Sequence, residues 1–255
     1  MSAPTRRSFL WGSLATLLLP AVAHALGDGG AVSIAELDLG PGTVARPSAW
    51  RRLLYELRHA TSVETSMDVA RLRPDDPLLF EHPLCVIAGD GGFAMPNDAA
   101  LSQLSRFLAY GGLLLLDDIS GAATSDFDRS TRALVDALFP SHALGRLPPT
   151  HAVFRTFFLL ERPMGRIVQQ DWLEGVTVGN VSPLLYTRND LSGALLRDDS
   201  GRELPCVPGG ESQRREARKL AMNIVMYCLT SNYKRDQAHV AELLREGRMP
   251  VGFSE

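Results

Sequence analysis

Cysteine is scarce in this chain, which has three cysteines in 255 residues. Cys85 and Cys228 lie in apolar segments with the patterns of a strand and a helix, and Cys206 lies in a loop rich in proline and glycine. An odd number of cysteines at isolated positions argues against a disulfide framework, even in an oxidising compartment. The absence of a Cys-x-x-Cys pair and of any cysteine and histidine cluster argues against a structural zinc site.

Motifs of several common enzyme classes are missing as well. The sequence contains no Gly-x-Ser-x-Gly nucleophile elbow. The glycine-rich segment at 89–92 lacks the lysine of a phosphate-binding P-loop and does not form a strict Gly-x-Gly-x-x-Gly fingerprint. No cofactor and no metal are therefore predicted. The chain also has no basic stripe, which argues against nucleic acid or anionic lipid as a partner.

The first 25 residues have the organisation of a twin-arginine export signal. Arg6 and Arg7 are followed by Ser, Phe and Leu, an apolar run covers residues 9–19, and a small-x-small site predicts cleavage after Ala25. The run is shorter than the roughly 20 residues of a membrane span and ends at Pro20, which favours a removable signal over an anchor. The expected location is periplasmic, with the membrane contacted only transiently. Without cleavage the protein would stay tethered.

The mature chain is predicted to be one α/β domain over residues 32–255, preceded by a flexible leader at 26–31. Its 230 residues suit a single large domain. The predicted core covers 32–140, and residues 141–255 form an irregular extension with C-terminal helices. Without the two signal arginines, 24 basic and all 29 acidic residues remain, which gives a net charge of −5.

Apolar runs alternate with amphipathic segments in the core, the pattern of a parallel sheet with right-handed helical crossovers. Strands are predicted at 32–38, 61–66, 83–88 and 113–116, and helices at 47–60, 98–110 and from 125 or 126 to about 140. Later elements are predicted as strands at 142–145, 176–178 and 184–187 and helices at 211–230 and 236–246. Ser48 is a candidate cap of the first helix. The predicted fold class is α/β, with a three-layer, flavodoxin-like, mostly parallel sheet and helices on both faces.

Two loops follow the buried strands at 83–88 and 113–116. Because ligands of open parallel sheets bind outside the carboxyl ends of the strands, these loops are predicted to share one ligand-binding edge. The candidate residues of this edge are Asp90, Gly91, Gly92, Asp117 and Asp118.

Each group at this edge has a functional and a structural interpretation. Gly91 and Gly92 permit close backbone approach and would offer amides to an oxyanion, or they form a tight turn before a helix. Asp117 and Asp118 would bind a cation, orient a hydroxyl or act as a base, or one caps the next helix and the other is solvated. Adjacent strand residues point to opposite faces, so the two carboxylates would share a metal only beyond the end of the strand.

Arg188, Asn189 and Asp190 complete the candidate ligand-binding set, since they follow the strand at 184–187. Together with Arg155 and Arg129, they would supply contacts to an acidic or sugar-like ligand. The alternative is a buried ion-pair network that holds loops together.

Nucleophilic catalysis needs a serine or cysteine beside a base, usually histidine. The candidate nucleophiles are Ser120, Ser125 and Cys85, and the histidines near element ends are His82, His142 and His151. Nothing in their spacing selects a pair. Cys85 precedes the end of its strand by several residues, which favours a place in the core.

Several segments of the mature chain resemble the bacterial family called domain of unknown function 4159. The most specific is the glycine pair, apolar strand and double aspartate at 108–118, and the others are 80–84, 127–130, 147–151, 186–193 and 215–230. The resemblance implies a class I glutamine-amidotransferase-like, ThuA-like core. Many members have a histidine where Asp90 stands here, and the strand end has no cysteine, which argues against amidotransferase chemistry. Relatives occur with MoxR-type ATPases and von Willebrand factor A proteins, which implies an envelope protein partner.

Three functional hypotheses follow. The first is a non-catalytic binding or assembly module of the cell envelope, which accounts for the export signal and the missing catalytic motifs. The second is a hydrolase on the amidotransferase-like scaffold that uses Asp90, Asp117 or Asp118. The third is a metal- or sugar-binding protein that uses the same carboxylates.

Overall fold

The computed structural model describes residues 30–198 and 200–245. The predicted export signal, with Arg6, Arg7 and the cleavage site after Ala25, lies outside these residues, as do most of the predicted leader and the end of the last predicted helix.

The described residues form an α/β fold around one seven-stranded sheet. The strands are β1 Val32–Leu37, β2 Thr65–Leu72, β3 Leu84–Gly89, β4 Leu113–Asp118, β5 Gly145–Arg146, β6 Glu174–Val178 and β7 Val181–Thr187. The α-helices are α1 Pro47–Ala60, α2 Asp98–Ala109, α3 Asp126–Leu138, α4 Leu191–Leu195 and α5 Gly210–Arg245. Short 3-10 helices cover Pro77–Glu81 and Ala152–Phe154.

The sheet is mostly parallel, with the strand order β2-β1-β3-β4-β7-β6-β5. The five strands from β2 to β7 pair in parallel, and β6 and β5 extend the sheet in antiparallel pairing. β3 and β4 are neighbours with Ala88 opposite Asp117 and Gly89 opposite Asp118. The prediction that these two buried strands run side by side in one direction is therefore confirmed.

Apolar side chains are buried on both faces of the sheet. Because strand residues alternate between faces, Leu84 and Val86 join one cluster while Cys85 and Ile87 join the other. The first cluster includes the buried sides of α1, α4 and α5, and the second includes those of α2 and α3. The buried strands thus match the continuous apolar runs seen in the sequence.

Helix boundaries follow the local signals in the chain. The Asn97 side chain accepts a hydrogen bond from the Ala100 amide at the start of α2, and Ser125 accepts one from Asp128 at the start of α3. Gly111 has a φ of +105° after α2, and the Gly112 amide donates to the Phe107 carbonyl, which ends that helix. At α1, by contrast, Arg46 occupies the capping position without a side-chain cap, so the cap predicted at Ser48 is wrong.

Three predicted elements also differ from the structure, one of them the strand expected at 142–145, which lies at Gly145–Arg146. The polar strand expected at 61–66 lies at Thr65–Leu72. β2 is an edge strand whose side chains are mostly partly exposed, so it has no apolar run. The two helices expected at 211–230 and 236–246 form one helix, because the polar stretch between them contains no proline or glycine to end it.

Among the described residues, no helix has the length and apolar character that a bilayer crossing requires.

Candidate functional site

The carboxyl ends of three neighbouring strands bring the predicted site residues to one edge of the sheet. Asp90, Gly91 and Gly92 follow β3, Asp117 and Asp118 end β4, and Arg188 to Asp190 follow β7. The β3 and β4 groups were expected to meet. The β7 group joins them because β7 pairs with β4 although about 60 residues separate the two strands along the chain.

The glycine turn after β3 is packed against the loop after β1. The Gly91 amide donates to the Gly42 carbonyl at 3.4 Å, and the Val44 amide donates to the Ala88 carbonyl at 2.7 Å. The Gly91 amide, expected to be free for an oxyanion, therefore already has an acceptor within the protein. Asp90 and Gly92 are exposed, and the described part of the chain offers no hydrogen-bond donor to the Asp90 carboxylate.

Asp117 is fully buried and connects β4 to the start of α4. Its two carboxylate oxygens accept hydrogen bonds from the amides of Leu191 and Ser192, each at 2.8 Å. Burial and the nearby Asp190 charge raise the pKa of Asp117 to about 6. The carboxylate fixes the backbone after β7 and has no exposed surface for a ligand.

Asp118 faces the opposite side of the sheet, as the alternation along a strand predicts. One carboxylate oxygen accepts from the Ser120 amide at 2.9 Å, and the other accepts from the Ser125 hydroxyl at 2.6 Å and the Tyr186 hydroxyl at 3.4 Å. Burial and the charges of Asp118 and Asp128 raise the pKa of Tyr186, so that its hydroxyl stays a donor. Asp118 thus organises the turn between β4 and α3.

Asp190 lies at the centre of a buried ion-pair cluster. Its φ is +52°, its carboxylate contacts the guanidinium groups of Arg46 and Arg166, and it accepts the Gly193 amide at the start of α4. These contacts join residues up to 144 positions apart in the sequence. We name Asp117, Asp190, Arg46 and Arg166 the latch, because together they hold the segments after β1, β4 and β7 in contact.

Asn189 and Arg188 hold two further loops against this edge. The Asn189 amide group accepts from the amides of Gln169 and Gln170 and donates to the carbonyls of Pro163 and Gln170. Arg188 donates from Nη2 to the carbonyls of Ala122 and Ala123, while its buried Nε lies 3.9 Å from the carboxylates of Asp118 and Asp128. These contacts agree with the alternative in which a buried polar network holds the loops together. Arg129 and Arg155 are exposed and lie outside this network.

Among the described residues, no imidazole ring is hydrogen-bonded to the three predicted nucleophiles, Ser120, Ser125 and Cys85. Cys85 Sγ donates to the main-chain carbonyl of His82 at 3.9 Å. Burial raises the pKa of the Cys85 thiol well above its ordinary value, which keeps the sulfur protonated. In the part of the chain that the structure describes, none of the three has the histidine base that usually activates such a nucleophile.

Two other serines contact histidines, and the sequence spacing did not indicate either pair. The Val153 amide donates to Nδ1 of His151, so Nε2 carries the proton and donates to Ser182 Oγ at 3.1 Å. In this tautomer His151 donates to Ser182 and cannot remove its proton. Ser33 Oγ lies 2.8 Å from His82 Nδ1 and 3.2 Å from the Glu81 carbonyl oxygen.

The described residues contain no group of three or more histidine, cysteine or acidic side chains with the geometry of a metal site. The three cysteines are buried and free.

A family model described as "Domain of unknown function (DUF4159)" matches residues 33–229, from β1 into α5. The chain belongs to this family. The resemblance seen in the double-aspartate strand and the later segments is thus confirmed. A comparison with curated proteins gives no match. The family description names no reaction.

The raised pKa of Asp117 predicts a pH-dependent stability difference. The folded protein binds this proton more tightly than the unfolded chain, whose pKa is near 3.8, so the Asp117 contribution falls as pH rises from about 4 to 6. The difference between a pKa of 3.8 in the unfolded chain and about 6 in the folded protein corresponds to roughly 3 kcal/mol of folding free energy. We expect wild type to lose stability relative to Asp117→Asn by up to about this amount between pH 4 and pH 7, as measured by urea unfolding.

Asp136→Asn, which removes an exposed carboxylate from α3, is the control for loss of one negative charge. If the free energies of unfolding of wild type and Asp117→Asn differ by the same amount at pH 4 and pH 7, the buried carboxylate does not bind a proton in this range.

Proposed function

We propose that the protein is exported by the twin-arginine route and acts as a non-catalytic binding or assembly module of the cell envelope. One observation carries the non-catalytic part of the proposal. The three buried carboxylates of the sheet edge, Asp117, Asp118 and Asp190, all accept hydrogen bonds from donors of the protein itself. Carboxylates that are paired and buried in this way hold loops together and present almost no surface to a substrate.

We further propose that the core is the three-layer, flavodoxin-like arrangement of class I glutamine-amidotransferase-like and ThuA-like domains. The parallel order β2-β1-β3-β4-β7 and the apolar clusters on both faces of the sheet support this assignment. A scaffold of this kind without a base beside a nucleophile suits binding better than hydrolysis. By resemblance, the proposed partner is an envelope protein that acts with MoxR-type ATPases or von Willebrand factor A proteins.

Export is tested by fractionation of a bacterium that has a working twin-arginine pathway. We expect the wild-type chain in the periplasm with Leu26 as its first residue, as read by mass spectrometry. The double variant Arg6→Lys/Arg7→Lys keeps the charge of the signal but should remain in the cytoplasm with its full N-terminus. Equal export of both chains would contradict the twin-arginine assignment.

The non-catalytic role is tested at Asp90, the exposed carboxylate among the predicted acidic residues of the edge. Asp90→Asn should retain the envelope partner captured by the wild-type mature protein in reciprocal, cross-linked purification. A hydrolytic activity of the wild-type protein that disappears in Asp90→Asn, with the unfolding midpoint unchanged, would instead establish the hydrolase hypothesis.

A further inference from the structure

A groove beside α1 has the size of a small-molecule site. Its volume is about 640 Å³, within the range of roughly 300–1,000 Å³ that is typical of ligand pockets. Helix α1 forms one wall, and β2, α4 and the segment after α4 contribute the rest. The lining residues are Ser48, Arg51, Arg52, Tyr55, Glu56, Met67, Leu195 and Arg197.

The groove is positively charged although the whole chain has a net charge of −3. Three arginines and one glutamate line it. Arg52 and Arg197 extend into a wider ion-pair cluster in which Glu203 contacts four guanidinium groups, and these charges hold the pKa of Glu203 below its ordinary value. The members of this cluster are Arg52, Arg197, Arg214, Arg218, Glu56, Glu203 and Glu211. With Arg51 added, five positive charges face three negative ones.

Hydrogen-bond acceptors are also too few in this cluster. Arg52 Nη1 and Arg218 Nε are buried and have no acceptor within the described residues. Arg51 donates only from Nε, to the Met67 carbonyl at 3.2 Å, which leaves both terminal nitrogens of its exposed guanidinium without a partner in the described structure. Buried polar groups are normally paired, and Arg51 and Arg52 both line the groove, so its wall contains more hydrogen-bond donors than acceptors.

Apolar surface lies next to these donors. Tyr55 is 56% exposed and packs its ring on His59 at a centroid distance of 4.1 Å. Met67 lines the same groove, and the almost wholly buried Leu195 lies at its base. A ligand that fills this space therefore needs both an anionic group and an apolar part.

We propose that this groove binds a small organic anion, with a phosphate or carboxylate group held by Arg51 and Arg197 and an apolar part against Tyr55, Met67 and Leu195. The forked guanidinium groups offer paired donors to two oxygens of such a group. The groove is separate from the sheet edge, so this inference does not depend on the proposed export or on the envelope partner.

Calorimetric titration of the mature protein with phenyl phosphate tests the proposal. We expect saturable binding with one site, at least tenfold weaker binding of inorganic phosphate, which lacks the ring, and at least tenfold weaker binding of benzyl alcohol, which lacks the charge. Arg51→Ala and Arg197→Ala should each weaken phenyl phosphate binding at least fivefold. Both side chains are exposed, and Arg197 is 53% exposed, so the variants should keep the wild-type unfolding midpoint.

Arg129→Ala is the matched control, because Arg129 is an exposed arginine on α3 that pairs with Asp126 and does not line the groove. It should bind phenyl phosphate like wild type. Absence of saturable binding, or equal weakening by Arg129→Ala, would overturn the proposal. Vesicles of phosphatidylglycerol and of phosphatidylcholine distinguish a lipid headgroup from a free small molecule. Binding to phosphatidylglycerol vesicles without affinity for phenyl phosphate would also overturn the proposal.

Discussion

Asp190→Ala is expected to lower the free energy of unfolding by about 3 to 5 kcal/mol at pH 7. The substitution removes the common acceptor of Arg46 and Arg166 and leaves two largely buried guanidinium groups without it. It also deletes the acceptor for the Gly193 amide and places alanine at a φ of +52°. The measurement is urea unfolding followed by circular dichroism.

Two variants separate the sources of this loss. Asp190→Asn keeps a side chain that tolerates the left-handed backbone and can accept the Gly193 amide, so it isolates the ion pairs and should cost about 2 kcal/mol or more. Asp126→Ala breaks one pair between exposed partners and should change the stability by less than about 1 kcal/mol. If Asp190→Ala costs no more than Asp126→Ala, the latch does not stabilise the fold.

Gly42→Ala is expected to destabilise the protein by about 3 kcal/mol or more. A Cβ at this position would lie 2.2 Å from the Gly92 carbonyl oxygen, and the φ of +90° is strained for any residue other than glycine. Left-handed strain costs about 1–2 kcal/mol, and overpacking adds about 1–3 kcal/mol. The measurement is the unfolding free energy in urea at pH 7.

Gly40→Ala provides the comparison, two residues earlier in the same loop. Its φ of +83° imposes nearly the same backbone strain, but an added Cβ would meet nothing within 4 Å. We expect a loss of about 1 kcal/mol. Equal losses at the two positions would mean that the contact between the loop after β1 and the turn after β3 is dispensable.

The central sheet was predictable from sequence because its strands are buried on both faces. The runs at 83–88 and 113–116 contain little but apolar residues, which is the pattern of a parallel strand covered on both faces. Their end points placed Asp90, Asp117 and Asp118 at one edge, and the pairing of β3 with β4 confirms that placement. The alternation of strand residues likewise predicted that the two adjacent aspartates face opposite sides.

The contacts that decide the character of the edge were not predictable. Arg46 and Asp190 are 144 positions apart, and His151 and Ser182 are 31 apart, so no local pattern links them. The edge strand β2 was misplaced because a partly exposed strand carries polar residues on both faces. A single sequence shows which residue types are available, whereas tertiary packing determines which carboxylate meets which arginine.

The position of β7 between β4 and β6 has a consequence for synthesis of the chain. Until residue 187 has left the ribosome, β4 lacks its neighbour β7, and its apolar run at 113–116 is an unpaired edge strand of the sheet. Open apolar strands of this kind recruit other chains. We therefore expect a nascent or truncated product that stops near residue 140 to aggregate more readily than the chain that includes β7.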